Sequence, residues 1–157
     1  MNPRYYWGAL ILDSVDLFIK NDFNKSDYLI FLLLCKELDP DTNVVNLNQK
    51  NIIIMLNEEY GYQITKGTVS KSINKLLDNH FITKAKRRQG FMVNPNLFYQ
   101  GTPYYLSDKT NDFDDSLRNI GEQPTFYLDT NSKKLVYYAE QETAPQFDNL
   151  EDSQEMF

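Results

Sequence analysis

Few residues in this chain are of a kind that does covalent or metal chemistry. Among its 157 residues there is one cysteine, Cys35, and one histidine, His80. A zinc site of the Cys/His type is therefore out of reach, as is strand-nicking chemistry built on a metal-bound histidine pair. A Cys–His dyad would need Cys35 to leave the apolar run Leu32-Leu33-Leu34-Cys35, where a buried thiol is expected. Carboxylates are plentiful, but none recurs at a spacing that pairs a general acid with a base. No catalytic residue, no metal site and no cofactor is expected, and the chain reads as a binder.

What the chain does concentrate is positive charge. The net charge is −6, which taken whole argues against a polyanionic partner. The two parts differ, however. Residues 1–100 carry 12 basic and 10 acidic residues, and residues 101–157 carry 4 and 12. Between Lys66 and Arg88 there are seven bases (Lys66, Lys71, Lys75, Lys84, Lys86, Arg87, Arg88) against one acid, Asp78. Such a local footprint is what phosphate contacts require, and the acidic C-terminal part masks it.

These bases fall on elements that can be read from pattern. A first helix is expected over residues 5–21, burying Ile11, Val15, Phe18 and Ile19 at helical spacing. A second runs from Lys25 to Leu38, with Asn24 or Ser26 as N-cap and a central run apolar all round; Pro40 ends it. Val44-Val45-Asn46-Leu47 reads as a short strand. Asn48 is placed to cap a third helix from Gln49 to Glu59, burying Ile52, Ile53, Met55 and Leu56, and Gly61 suits a left-handed C-cap. Thr65 then caps a fourth helix near residues 66–79, with Val69, Ile73, Leu76 and Leu77 on its core side. Phe81-Ile82-Thr83, a basic turn at residues 84–90, and Phe91-Met92-Val93 make a hairpin that Asn94-Pro95 stops. His80, at the helix end, is expected to be structural, favoured there by the helix dipole.

Strand, helix, turn, helix and hairpin in this order is the winged helix-turn-helix arrangement, expected here over residues 42–101. The fourth helix would then present Lys66, Gly67, Thr68, Ser70, Lys71, Asn74 and Lys75 to a major groove about 12 Å wide. Gly67 and Ser70 permit close approach, Asn74 offers an amide to an adenine edge, and the lysines suit phosphates. Lys84, Lys86, Arg87 and Arg88 would lie over the adjoining backbone or minor groove. Gln49 and Lys50, at the start of the third helix, are expected phosphate anchors. A single basic helix face is ordinarily a solvated face. Two basic surfaces falling where one module would present them is the stronger signal, and double-stranded DNA is the partner they imply.

Thr65-Lys66-Gly67-Thr68-Val69-Ser70, followed by Ile73, Leu76-Leu77 and Phe81-Ile82, resembles the recognition helix and first wing strand of many winged-helix proteins. Gly90-Phe91-Met92-Val93-Asn94-Pro95-Asn96-Leu97, then Gly101, resembles the wing return and ending of the RepL-type family, replication proteins of small firmicute plasmids. The likeness covers about residues 5–101. Ile52-Ile53-Ile54 is more apolar than that family's pattern, residues 58–65 make a longer turn, and the tail is longer. The resemblance implies origin binding in plasmid or phage DNA replication and recruitment of host replication proteins.

The expected fold is thus mainly α with a small β wing (α+β), plus a C-terminal β-hairpin and an acidic tail. Three parts are expected: a DNA-binding domain over 1–101, an extension over 102–139, and an acidic flexible tail over 140–157. In the extension residues 108–119 read as polar. Thr125-Phe126-Tyr127-Leu128 and Lys134-Leu135-Val136-Tyr137-Tyr138 read as two aromatic strands of a hairpin, which should dock on the core or on another chain. Homodimerisation is expected by analogy with readers of repeated half-sites, through the first helix or this hairpin. The lone cysteine, the absence of a signal-peptide pattern and of a long apolar run point to the cytoplasm and to no membrane partner. Two other functions use the same surfaces: a transcriptional regulator (copy-number or phage repressor), and a protein-interaction module whose acidic tail mimics DNA.

Overall fold

Asparagine and threonine side chains set the starts of the main helices. In this computed structural model, which describes residues 7–86, 90–101 and 106–138, Asn24 opens a helix with a reciprocal capping box. The Asp27 amide donates to Asn24 Oδ1 at 3.0 Å, and the Asn24 amide donates to Asp27 Oδ2 at 2.9 Å. Asn48 and Asn51 form a second such box, at 2.8 and 3.2 Å. Thr65 Oγ1 accepts from the Thr68 amide at 3.3 Å. The helices that follow are α2 (Lys25–Glu37), α3 (Gln49–Ile54) and α4 (Lys66–Asp78). Helix α3 continues as one π-helical turn, Met55–Glu59, before Gly61 turns the chain at φ +65°. A shorter α1 (Ser14–Lys20) precedes them, and α5 (Leu106–Asn119) follows.

The strands are short. β1 (Ala9–Leu10) pairs antiparallel with β5 (Phe98–Tyr99). β2 (Val44–Val45), β3 (Ile82–Lys84) and β4 (Phe91–Val93) form a three-stranded antiparallel sheet in the order β2-β4-β3. β6 (Phe126–Asp129) and β7 (Lys134–Tyr137) make the expected hairpin. The fold is mixed α+β.

Alternation along the sheet sorts its side chains onto two faces. Val45, Ile82, Phe91 and Val93 join the main core with Ile30, Phe31, Leu34, Ile52, Val69, Ile73 and Leu76. Val44 and Met92 face the other way and pack against Phe113 and Leu117 of α5. Both faces of the sheet are therefore covered. An aromatic knot joins the end of α4 to the first two helices: the Phe81 ring lies 4.9–5.6 Å, centroid to centroid, from Phe18, Phe23 and Phe31.

Several expectations are corrected. The first helix starts only at Ser14, because residues 9 and 10 are drawn into pairing with β5. Its buried apolar side chains are Leu17 and Phe18, while Val15 and Ile19 are exposed. The stretch expected as polar around residue 108 is an amphipathic helix whose Leu106, Phe113 and Leu117 are buried. Leu77, Ile53 and Met55 pack against the core on the expected side but are half-buried. His80 is structural for a reason other than the dipole. It turns the chain at φ +59°, and its ring meets Thr125 Oγ1 at 3.0 Å and Glu122 Oε1 at 2.7 Å. The hairpin docks on the core, where Phe126 and Leu135 are buried, and the Leu135 amide donates to Asp13 Oδ2 at 3.0 Å. The tail beyond residue 138 lies outside the described residues.

Candidate nucleic-acid interface

The polar face of α4 is narrower than a helical wheel suggests, because both of its flanks are tied down. On the α3 side, Ser70 Oγ donates to Gln49 Oε1 at 2.9 Å. On the α2 side, Ser72 Oγ donates to Asp27 Oδ1 at 2.7 Å and Lys75 Nζ donates to Asp27 Oδ2 at 2.6 Å. Lys75 also lies 3.2 Å from the Asp22 carbonyl oxygen and sits over the Phe23 ring. The crest left between the flanks is Gly67, Lys71 and Asn74, with Lys66 at the start, all exposed. These residues follow one another at i, i+4 and i+7, so they share one line along the helix. Asp78, also exposed, ends that line and places one negative charge at its C-terminal end.

Asp27 is the anchor of this arrangement, and only 1% of it is exposed. Burial pushes its carboxyl pKa up. Hydrogen bonds from Lys75, the Asn24 amide and Ser72, with the charge of Lys75, outweigh that and hold it below the ordinary value of 3.8. The carboxylate is thus kept charged, and it braces α4 against α2.

The approach to α4 is braced as well. The Ile64 amide donates to Asn57 Oδ1 at 2.9 Å, and Asn57 Nδ2 donates to the Ile64 carbonyl at 3.4 Å, so the π-helical turn clamps the segment leading to Thr65. Thr68 serves the cap, its hydroxyl lying 3.0 Å from that of Thr65. At the start of α3 Lys50 is exposed, while Gln49 is half-buried and bonded to Ser70. The Asn51 amide there is taken by the expected cap, Asn48, and so is not free for an anion.

In the hairpin, Lys84 and Lys86 are exposed. Arg87 and Arg88, expected at its tip, lie outside the described residues. Gly90 closes the hairpin at φ +118°, and a Cβ there would collide with the Val45 carbonyl oxygen. Only glycine allows β4 to start so close to β2. Lys86 lines a groove of about 360 Å³ together with Asp112, Asp115 and Ser116 of α5 and Thr42, Val44, Ala85 and Met92. The acidic wall formed by Asp112 and Asp115 is not among the expected features of this surface. The spacing of Leu106, Phe113 and Leu117 carried the signal for α5, but the aspartates between them hid it.

Two of the residues that carry the family resemblance, Asn94 and Asn96, prove to be buried ties. Asn94 Nδ2 donates to the His80 carbonyl at 2.8 Å, and Asn94 Oδ1 accepts from the amide and side chain of Asn96 at 2.9 and 3.0 Å. Asn96 Oδ1 in turn accepts from the Leu128 amide at 2.9 Å. This motif fixes where β4 leaves the sheet and where the hairpin docks, and touches no exposed surface. Among the described residues no group of His, Cys, Asp and Glu is arranged to hold a metal ion, and no helix is long and apolar enough to cross a membrane. Comparison with protein-family models, with curated proteins and with solved structures finds no match for this chain.

Proposed function

We propose that this protein is a sequence-specific double-stranded DNA-binding protein of the winged helix-turn-helix type, acting at an origin in plasmid or phage replication. One observation carries the DNA reading: α4 is tied on both flanks, leaving Gly67, Lys71 and Asn74 as a free crest, and the hairpin that follows it exposes Lys84 at the end of β3 and Lys86 in the loop beyond. The order β2, α3, α4, β3, β4 with the sheet order β2-β4-β3 supports the winged-helix assignment. Asn74 and Lys71 read base edges and the adjoining phosphates; Lys50, Lys66, Lys84, Lys86, Arg87 and Arg88 contact backbone. Gln49, Thr68, Ser70 and Lys75 hold the helix in place and contribute to DNA contact through it. The protein binds as a homodimer, recruits host replication proteins and works without a catalytic centre of its own. A free, buried Cys35 fits a reducing cytoplasm.

The replication role rests on the RepL-type resemblance, and the DNA platform on the geometry, so they are tested separately. Selection of bound fragments from the native replicon, followed by binding titrations across salt, tests the platform. A fragment bound with a log–log salt slope of several units supports it; no duplex bound at low salt refutes it. Deleting the gene from its replicon tests the role. Loss of replication supports it, whereas intact replication with altered transcription makes the protein a regulator instead.

A further inference from the structure

The groove beside the hairpin gathers charges that the fold does not pair. Lys86, just past β3, lines it from the hairpin side, and Asp112 and Asp115 line it from α5, over an apolar floor of Val44, Ala85 and Met92. Lys86 and Asp112 share this space of about 360 Å³, yet neither forms an ion pair among the described residues. Asp115 meets Arg118 at 3.5 Å, and both are more than half exposed. Ser116 also lines the groove, although it is 4% exposed, and its hydroxyl has no hydrogen-bond partner among the described residues. Serine's side chain is one hydroxymethyl group, so that hydroxyl is what Ser116 presents to the groove. Buried hydroxyls are nearly always satisfied, and one left open onto a groove points to a partner that arrives from outside. A few unpaired polar groups converging over an apolar floor make a small-molecule site, and the volume falls in the range of about 300–1,000 Å³ that such sites have.

We infer that this groove binds a small amphipathic zwitterion, an amino acid or dipeptide with a free ammonium group, a free carboxylate and an apolar side chain. Asp112 and Asp115 stand three residues apart on α5, so they are neighbours on its surface and both can accept from one ammonium group. Ser116, one turn on from Asp112, adds a third acceptor on the same side. Lys86 takes the carboxylate from the hairpin side. The apolar side chain rests on Val44, Ala85 and Met92, whose flexible thioether adapts to its shape. A ligand with positive charge alone would meet Lys86 unpaired, and one with negative charge alone would meet two aspartates. Only a ligand carrying both charges completes the set. Lys86 also belongs to the hairpin assigned above to DNA, so occupancy should draw it off the phosphates. That consequence rests on the DNA reading; the binding does not.

Titration of the isotope-labelled full chain, followed by its amide resonances, tests the site with L-leucine and leucylglycine as probes. One of the two is expected to shift the amides of Lys86, Asp112 and Ser116 saturably, with a Kd of about 1 mM or tighter. Isoamylamine and isocaproate are leucine without its carboxylate and without its ammonium group. Each should bind at least about tenfold more weakly than the tighter probe. Asp112→Asn, at an exposed position, should weaken that probe about tenfold. Lys86→Met should erase its advantage over isoamylamine. No saturable shift at about 20 mM of either probe, shifts that map away from the groove, isoamylamine that binds as tightly as the zwitterion, or an Asp112→Asn chain that binds like the wild type overturns the inference. Binding that leaves duplex affinity unchanged keeps the site and refutes the Lys86 contact to DNA; a chain that binds duplex but neither probe does the reverse.

Discussion

Replacing Asp27 by alanine removes three hydrogen bonds at once, from Lys75, Ser72 and the Asn24 amide. It leaves the Lys75 ammonium, 29% exposed, with only the Asp22 carbonyl and the Phe23 ring beside it. Removing one partner of a buried pair costs roughly 3–5 kcal/mol. Lys75 keeps some contact with water, so the lower end applies, about 3 kcal/mol including the lost capping interaction. Lys75→Met keeps the stem and strands the carboxylate, at a similar cost of about 3 kcal/mol. The double variant leaves neither charge unpaired, so the changes should fall short of additivity by about 2 kcal/mol. Urea unfolding followed by circular dichroism at neutral pH measures all three.

Acidity supplies a second axis for the same experiment. The folded pKa of Asp27 lies below its ordinary value, so its stabilisation is complete above about pH 4 and is lost as pH falls through the folded pKa. The penalty of Asp27→Ala should therefore shrink in acid. If the two single changes simply add, or if Lys75→Met spares stability while weakening DNA alone, then Lys75 is a phosphate ligand and the bracing of α4 is wrong.

Asn74→Ala should relax sequence preference at one position by about 1–3 kcal/mol, read by competition between selected and random duplexes. Lys71→Ala should weaken all duplexes alike and lower the salt slope by about one; a loss confined to the selected site would make Lys71 a base reader. Gly90→Ala should cost about 3 kcal/mol in urea unfolding, since it combines a positive φ with a backbone collision. Cys35 should resist thiol reagents until the chain unfolds, because burial pushes its pKa up; rapid labelling of the native protein would contradict its place in the core.

Local signals were legible because their physics is local. Asn24, Asn48 and Thr65 cap helices through atoms three residues away, and Gly61 needs no more than its own φ. The hairpins followed from alternation and turn residues, and the core side of α4 from Val69, Ile73 and Leu76. The candidate site was legible as far as the exposed crest of Lys66, Gly67, Lys71 and Asn74 and the hairpin lysines. Residues 1–157 thus determined by themselves the α+β composition, the order of elements over residues 24–93, and the concentration of basic charge between Lys66 and Arg88.

What tertiary structure alone decided is which polar groups remain available. Asp27 and Lys75 are 48 residues apart, Ser70 and Gln49 are 21 apart, and nothing in either neighbourhood announces the other. The same holds for Asn96, whose acceptor serves the Leu128 amide 32 residues on. The periodicity of α1 reported an apolar face but not its cover, since burial depends on which element arrives there. β1 pairing with β5 shortened that helix, and of the face read from periodicity Phe18 joined the core while Val15 and Ile19 were left to solvent. Helix α5 was hidden for the converse reason. Its acidic residues outnumber its apolar ones, and only the outer face of the sheet, with Val44 and Met92 to cover, makes burying Phe113 and Leu117 worthwhile.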